Sequence, residues 1–167
     1  VSGGSSGSFL KSDFEATASS AFTDVFLVVG FAINILLVEK VGRIHLQVVG
    51  FVGMTVGLVV VALSSDGSIV PLVLIGFVLF NTFVNAGPNA TTYLLPAEVY
   101  PTRLRGTGHG FAAACGKFGA AVGTLLLPVV VATFGLDTTM LGIAVLCVVG
   151  AVVTATFRVE TRGLALD

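Results

Sequence analysis

Five long apolar runs, at 16–38, 46–63, 69–95, 108–134 and 139–157, leave this chain little choice of architecture. A helix that crosses a bilayer needs roughly 20 predominantly apolar residues, and each run meets or approaches that length. Strands are disfavoured: no segment alternates apolar with polar residues, and an open sheet edge cannot satisfy its backbone groups in hydrocarbon. Composition agrees. The chain is 55% hydrophobic and 10% charged, whereas soluble domains carry about 25% charged residues. At 167 residues it is too small to hide that much apolar surface within itself, so the excess must face lipid. The expected fold is an all-α integral membrane domain of five transmembrane helices over 16–157. Residues 1–15, rich in Gly and Ser, read as an extracellular loop or linker, and 158–167 as a cytoplasmic tail.

Several function classes drop out at once. A net charge of −1 offers no basic stripe for nucleic acid. Cys115 and Cys147 lie inside apolar runs and read as buried free thiols rather than a disulfide framework. No metal-ligand cluster and no nucleophile–base pair can be traced, so neither a cofactor nor an enzymatic centre is expected. The chain begins at Val1 without a signal-peptide pattern and reads as a fragment.

Charge orients the runs. Lys40 and Arg43 lie in the first connection, Arg103 and Arg105 in the third, and Arg158 and Arg162 in the tail; the second and fourth carry only Asp66 and Asp137. Cationic loops stay cytoplasmic. The alternation predicts five crossings with the N-terminus outside and the C-terminus inside.

Within the runs, Gly50, Gly53 and Gly57 share one helix face, and Gly116, Gly119 and Gly123 repeat the spacing. Both sets predict close helix packing. The third run is unusual: Asn81, Asn85, Asn89 and Thr92 form a polar stripe, interrupted by Gly87-Pro88, where the proline must kink the helix. Such a stripe serves either substrate binding or hydrogen bonding between helices. Lys117 is the sole Lys or Arg within the five runs. A cation at that depth costs about 2.5–3.5 kcal/mol on insertion scales, so it should face a cavity or counter-ion. It shares a face with Ala121, Thr124 and Pro128, away from the glycines. Asp24 suits an interfacial role near a helix N-terminus, His45 a solvated loop, and His109, between Gly108 and Gly110, a structural role.

Three segments also carry a family resemblance. Glu39-Lys40-Val41-Gly42-Arg43 resembles the loop between the eighth and ninth helices of major facilitator transporters. Pro96-Ala97-Glu98-Val99-Tyr100-Pro101-Thr102-Arg103-Leu104-Arg105-Gly106 resembles the segment after the tenth helix in the sugar-porter-related branch, and Glu160-Thr161-Arg162-Gly163 the tail after the twelfth. The chain is identified as a member of that superfamily, spanning the C-terminal part from helix eight to helix twelve. Gly87-Pro88-Asn89-Ala90-Thr91-Thr92-Tyr93, Thr107-Gly108-His109-Gly110 and Cys115-Gly116-Lys117-Phe118-Gly119-Ala120 are most similar to proton-coupled inorganic phosphate symporters. Glu39, Ile44, Cys115 and Val159 depart from the family's usual residues.

The resemblance implies that Asn89 belongs to a phosphate site and that Lys117 lies near substrate and the proton-coupling carboxylates. Asn85 and Thr92, on the same stripe as Asn89, complete the candidate substrate-binding set. Glu98, Arg43, Arg103, Arg105 and Pro88 form the candidate gating and structural set. Glu98 is expected to pair with Arg43 or Arg105 at a wet cytoplasmic rim, for no more than about 1 kcal/mol. The implied partners are phosphate and protons as transported species, the lipid bilayer and an N-terminal transporter half, in a plasma or cell membrane. A sugar or organic-ion transporter of the same fold, and a non-transporting membrane remnant, are the alternatives.

Overall fold

The computed structural model describes residues 4–64 and 70–158, all of the regular structure among them helical. The helices are α1 (Gly4–Val41), α2 (Arg43–Leu63), α3 (Val70–Ala86), α4 (Pro88–Val99), α5 (Arg105–Phe134) and α6 (Leu136–Thr156). Helices α3 and α4 are two halves of one span, Pro71–Val99; with α2, α5 and α6 this makes four spans long and apolar enough to cross a membrane among the described residues. Helix α1 contains the first apolar run. Asp66 and the 160–163 tail motif lie outside the described residues.

The expected loop over 1–15 needs correction, because α1 is already helical at Gly4. Nucleating a helix is costly but extending one is not, so the apolar run carries its helix back through the Gly- and Ser-rich stretch. At about 1.5 Å per residue α1 is roughly 57 Å long, well beyond the roughly 30 Å of hydrocarbon. The first connection is also shorter than expected. Gly42 alone separates α1 from α2, with φ of 100°, a left-handed value that disfavours a Cβ. Gly135, with φ of 85°, joins α5 to α6 in the same way.

Helix α2 lies at the centre. Its glycine face meets α3 in antiparallel order: Gly50 lies against Gly87 and Pro88, Gly53 against the Phe83 ring, and Gly57 against Gly76 and Phe80. A Cβ at any of the three would fall under 3 Å from those atoms, so the small residues are what let the backbones approach. The opposite flank of α2 packs on α6, with Phe51 against Gly150. Between them lies a core of Met54, Leu58, Val61, Ala62, Met140, Ala144 and Cys147. Helix α1 runs parallel to α3, with Gly30 pressed against Thr82 and Asn85.

The second glycine stripe behaves otherwise. A Cβ at Gly116, Gly119 or Gly123 would meet no described atom within 4 Å, and no residue of α5 is buried by the described residues. A small-residue face permits close approach but does not supply a neighbour; among the described residues α5 packs chiefly on α4 and α6. Cys115, on the same helix, is exposed rather than buried, while Cys147 is buried as expected. Large apolar side chains such as Phe111, Phe118, Leu125 and Leu146 point outward, as a lipid-facing surface requires.

Candidate functional site

The polar groups gather where the third span breaks. Pro88 has no N–H to give the carbonyl of Val84, and α3 ends at Ala86. Gly87 bridges the halves: its N–H donates to the Phe83 carbonyl (3.1 Å), and its carbonyl accepts from Thr91 N–H (3.1 Å) and Thr91 Oγ1 (3.0 Å). A Cβ at Gly87 would collide with the Leu46 carbonyl and Gly50, so the break is pressed against α2. The Ala86 carbonyl is capped from α1, by Asn34 Nδ2 at 2.7 Å. Asn34 is 5% exposed. It is a structural residue that sequence reasoning missed, although a single amide inside the apolar run at 16–38 was a visible signal.

The asparagine stripe is divided by its hydrogen bonds: its first two amides are held by their own helix, and Asn89 bonds back to α3 across the break. Asn81 Nδ2 donates to the Phe77 carbonyl (3.3 Å) and Asn85 Nδ2 to the Asn81 carbonyl (2.7 Å). Both amides turn back on their own helix. Asn85, 2% exposed, also accepts from Asn89 Nδ2 through its Oδ1 (2.8 Å). With both ends of its amide engaged, Asn85 orients Asn89 and does not line the neighbouring groove. Asn89 keeps its Oδ1 and one N–H for another ligand.

That groove lies between α4 and α5. It has a volume of about 340 Å³ and is lined by Val84, Pro88, Asn89, Thr92 and Tyr93 on one side and Ala112, Gly116, Lys117 and Ala120 on the other. Ala112, Gly116 and Ala120 repeat at helical spacing, and their small side chains leave the gap opposite Asn89. Three of the four candidate binding residues, Asn89, Thr92 and Lys117, therefore share one cavity. Gly116 and Lys117 line the same groove, so the lysine and glycine faces are less separate than the helical wheel suggested. Lys117 makes no ion pair among the described residues.

Depth can be measured from the end of the bundle that carries Lys40, Arg43, Arg103, Arg105 and Arg158. These belong to one end: Arg43 bonds Glu98, and Ile44, Leu95, Val99, Val153 and Phe157 line one cleft. Lys117 lies 12 residues beyond Arg105 in α5, about 18 Å along the axis. Asn89 lies 10 residues before Val99 in α4, about 15 Å from the same end. Both are near the middle of a bilayer core of roughly 30 Å.

At the basic end, Arg43 grips two carboxylates. Its Nε and Nη2 donate to Glu98 Oε2 (3.0 Å) and Oε1 (2.8 Å), and its Nη1 and Nη2 to Glu39 Oε2 (3.2 Å) and Oε1 (2.7 Å). The side chains of Arg43 and Glu98 are 7% and 11% exposed, whereas Glu39 is 68% exposed. The expected wet rim contact is thus a buried, two-pronged pair that ties α4 to α2 and, through Glu39, to α1. Arg103 and Arg105 are not in this network: Arg103 is exposed, and Arg105 Nε is buried with no hydrogen-bond partner among the described residues. Pro88 lies at the helix break, away from the pair.

The sequence profile described as "Sugar (and other) transporter" matches residues 8–167. The chain belongs to that transporter family. It is 35% identical over 142 residues to "Probable inorganic phosphate transporter 1-6" of Arabidopsis thaliana, covering 83% of this chain and 27% of that protein. It is 38% identical over 152 residues to "Inner membrane metabolite transport protein YgcS" of Escherichia coli, covering 91% of this chain and 34% of that protein. The fold matches a proton:xylose symporter of the major facilitator superfamily, XylE bound to 6-bromo-6-deoxy-D-glucose, with a TM-score of 0.81 at 20% identity over 92% of this chain and 34% of that one. The chain therefore spans about a third or less of these transporters. Its helices match the C-terminal part of a major facilitator transporter, an integral membrane protein.

Proposed function

We propose that the protein carrying this chain moves inorganic phosphate across a membrane together with protons, and that the α4–α5 groove holds the anion. The observation that carries this reading is the meeting of Lys117 and Asn89 in one groove at similar depth, beside a helix break. Lys117 supplies a point charge without a counter-ion among the described residues, and Asn89 a neutral donor already oriented by Asn85. A charge-assisted hydrogen bond to an oxyanion is about twice as strong as a neutral one. Plant relatives named as phosphate transporters support the same substrate.

Proton coupling needs a carboxylate close to Lys117, and none lines the groove among the described residues. That group is to be sought in the N-terminal part of the transporter. The basic end is taken as cytoplasmic, in a plasma or cell membrane. A second reading, a sugar or organic-ion transporter, draws support from the family description, sugar and other transporters, and from the resemblance to the Escherichia coli metabolite transport protein.

The test is uptake by the full-length protein in proteoliposomes with an inwardly directed proton gradient. Labelled phosphate should accumulate, and collapse of the gradient should abolish accumulation. Accumulation of xylose or a hexose with no phosphate uptake would replace this reading with the second. Sidedness is tested separately. A cysteine at Asp137 should react with an impermeant reagent in intact cells, and one at Arg103 only after permeabilisation; equal reactivity would contradict the crossing pattern.

A further inference from the structure

The groove is not open equally at its two ends. Along α5, His109, Ala112, Gly116 and Ala120 fall on one face at spacings of three, four and four. Three of these are small and leave space; His109 is not. Helices α4 and α5 are antiparallel, so the imidazole comes opposite Tyr93, the last α4 residue to line the groove toward the basic end. The two rings meet with centroids 6.1 Å apart, tilted by 52°. Gly108, the residue before His109, is pressed so closely to the ring of Tyr100, just past the end of α4, that a Cβ there would overlap it. The seam between α4 and α5 is therefore narrowed at the basic end by two aromatic contacts, on the basic side of Asn89, Thr92 and Lys117, with the Tyr93 ring still 37% exposed.

The constriction carries a built-in flaw. His109 Nδ1 is buried and has no hydrogen-bond partner among the described residues. A buried polar atom left unpaired is costly, because the water it gave up is not replaced. Nothing in the apolar packing of the rings repays that loss, and parting them would let water reach the nitrogen.

We propose that Tyr93 and His109 form a gate at the basic end of the groove, closed by ring contact and biased toward opening by the unpaired imidazole nitrogen. The rings act as a plug and the nitrogen as the spring. This rests on the reading of the groove as a ligand path, but not on phosphate being the ligand.

The experiment uses the full-length protein in inside-out vesicles, with Cys115 and Cys147 replaced by serine and a reporter cysteine at Gly116, where a side chain has room. An impermeant thiol reagent is applied from the basic end, without substrate, and the labelling rate is measured. A minor open state of at most about 10% leaves room for a rise of about tenfold. His109→Ala should produce that rise, because the plug is gone. His109→Phe should fall below wild type, because the ring remains and the unpaired nitrogen does not. Tyr93→Ala gives an independent opening variant should His109→Ala fail to fold. A merely structural histidine would change both variants in the same direction. Unchanged rates in the alanine variants, or a phenylalanine variant labelled as fast as His109→Ala, would overturn the gate. Since labelling needs no phosphate, a failed uptake assay leaves this test intact.

Discussion

Replacing Glu98 with glutamine should destabilise the protein far more than the same change at Glu39, although both carboxylates bond the same guanidinium. The difference follows from burial. The Glu98 and Arg43 side chains are 11% and 7% exposed, while Glu39 is 68% exposed. Removing one partner of a buried pair leaves a charge in a poorly solvating environment and costs about 3–5 kcal/mol. Glu39 remains beside Arg43 and offsets part of that, so the low end, about 3 kcal/mol, is expected. An exposed helical pair four residues apart is worth about 0.3–0.5 kcal/mol, which is the expectation for Glu39→Gln. Unfolding of the full-length protein in mixed detergent micelles, followed by circular dichroism against denaturant, reads both. The double variant Arg43→Met with Glu98→Leu should recover much of the loss, because it removes both charges and leaves apolar groups of similar size. Equal costs for Glu98→Gln and Glu39→Gln would refute the argument that burial sets the strength of this pair.

Two further outcomes follow from the packing around the broken span. Gly53→Ala should lower stability by about 1–3 kcal/mol through overpacking on the Phe83 ring, and a second change, Phe83→Leu, should restore much of it in the same unfolding assay. Asn34→Leu should cost about 1–3 kcal/mol by leaving the Ala86 carbonyl without its buried donor, and should slow uptake more than it lowers protein yield, since the break that positions Asn89 would loosen.

Much of this fold was legible in the sequence because hydrocarbon imposes so few solutions. Run length marked the spans, and Pro88 marked the break in the third. Element ends were less legible: Gly42 and Gly135 work as single-residue joints, so α1, α2 and α6 run further into the connections than their polar residues suggested. The two glycine stripes show where spacing stops being informative. Gly50, Gly53 and Gly57 meet α3, while Gly116, Gly119 and Gly123 meet nothing described, because spacing records a face and not its neighbour.

The same limit applied to the polar residues. Spacing put Asn81, Asn85, Asn89 and Thr92 on one stripe, but the back-bonding of Asn81 and Asn85 to their own helix depends on local rotamers that no pattern encodes. Asn34 escaped notice because its partner lies 52 residues away. His109 read as structural, and only the packing of α4 against α5 revealed a buried nitrogen at the foot of the groove.

The claim at the centre of this account is that Asn89 and Lys117 hold one transported anion between them. Equilibrium binding of labelled phosphate to the purified full-length protein tests it most directly, with Asn89→Ala, Lys117→Gln and the double variant measured side by side. Each single change should weaken binding by about ten- to a hundredfold, the loss of about 1.5–3 kcal/mol expected for a hydrogen bond to a charged group. The double variant should bind more tightly than the product of the two losses implies, since residues sharing a ligand are coupled. Lys117→Gln should insert and fold like wild type, as removing a membrane-embedded cation relieves insertion. The two variants with Asn89→Ala leave the buried Asn85 Oδ1 without its donor and should lose about 1–3 kcal/mol of stability, while remaining folded enough for binding to be read. Wild-type affinity in both single variants would contradict the assignment of the groove as the anion site.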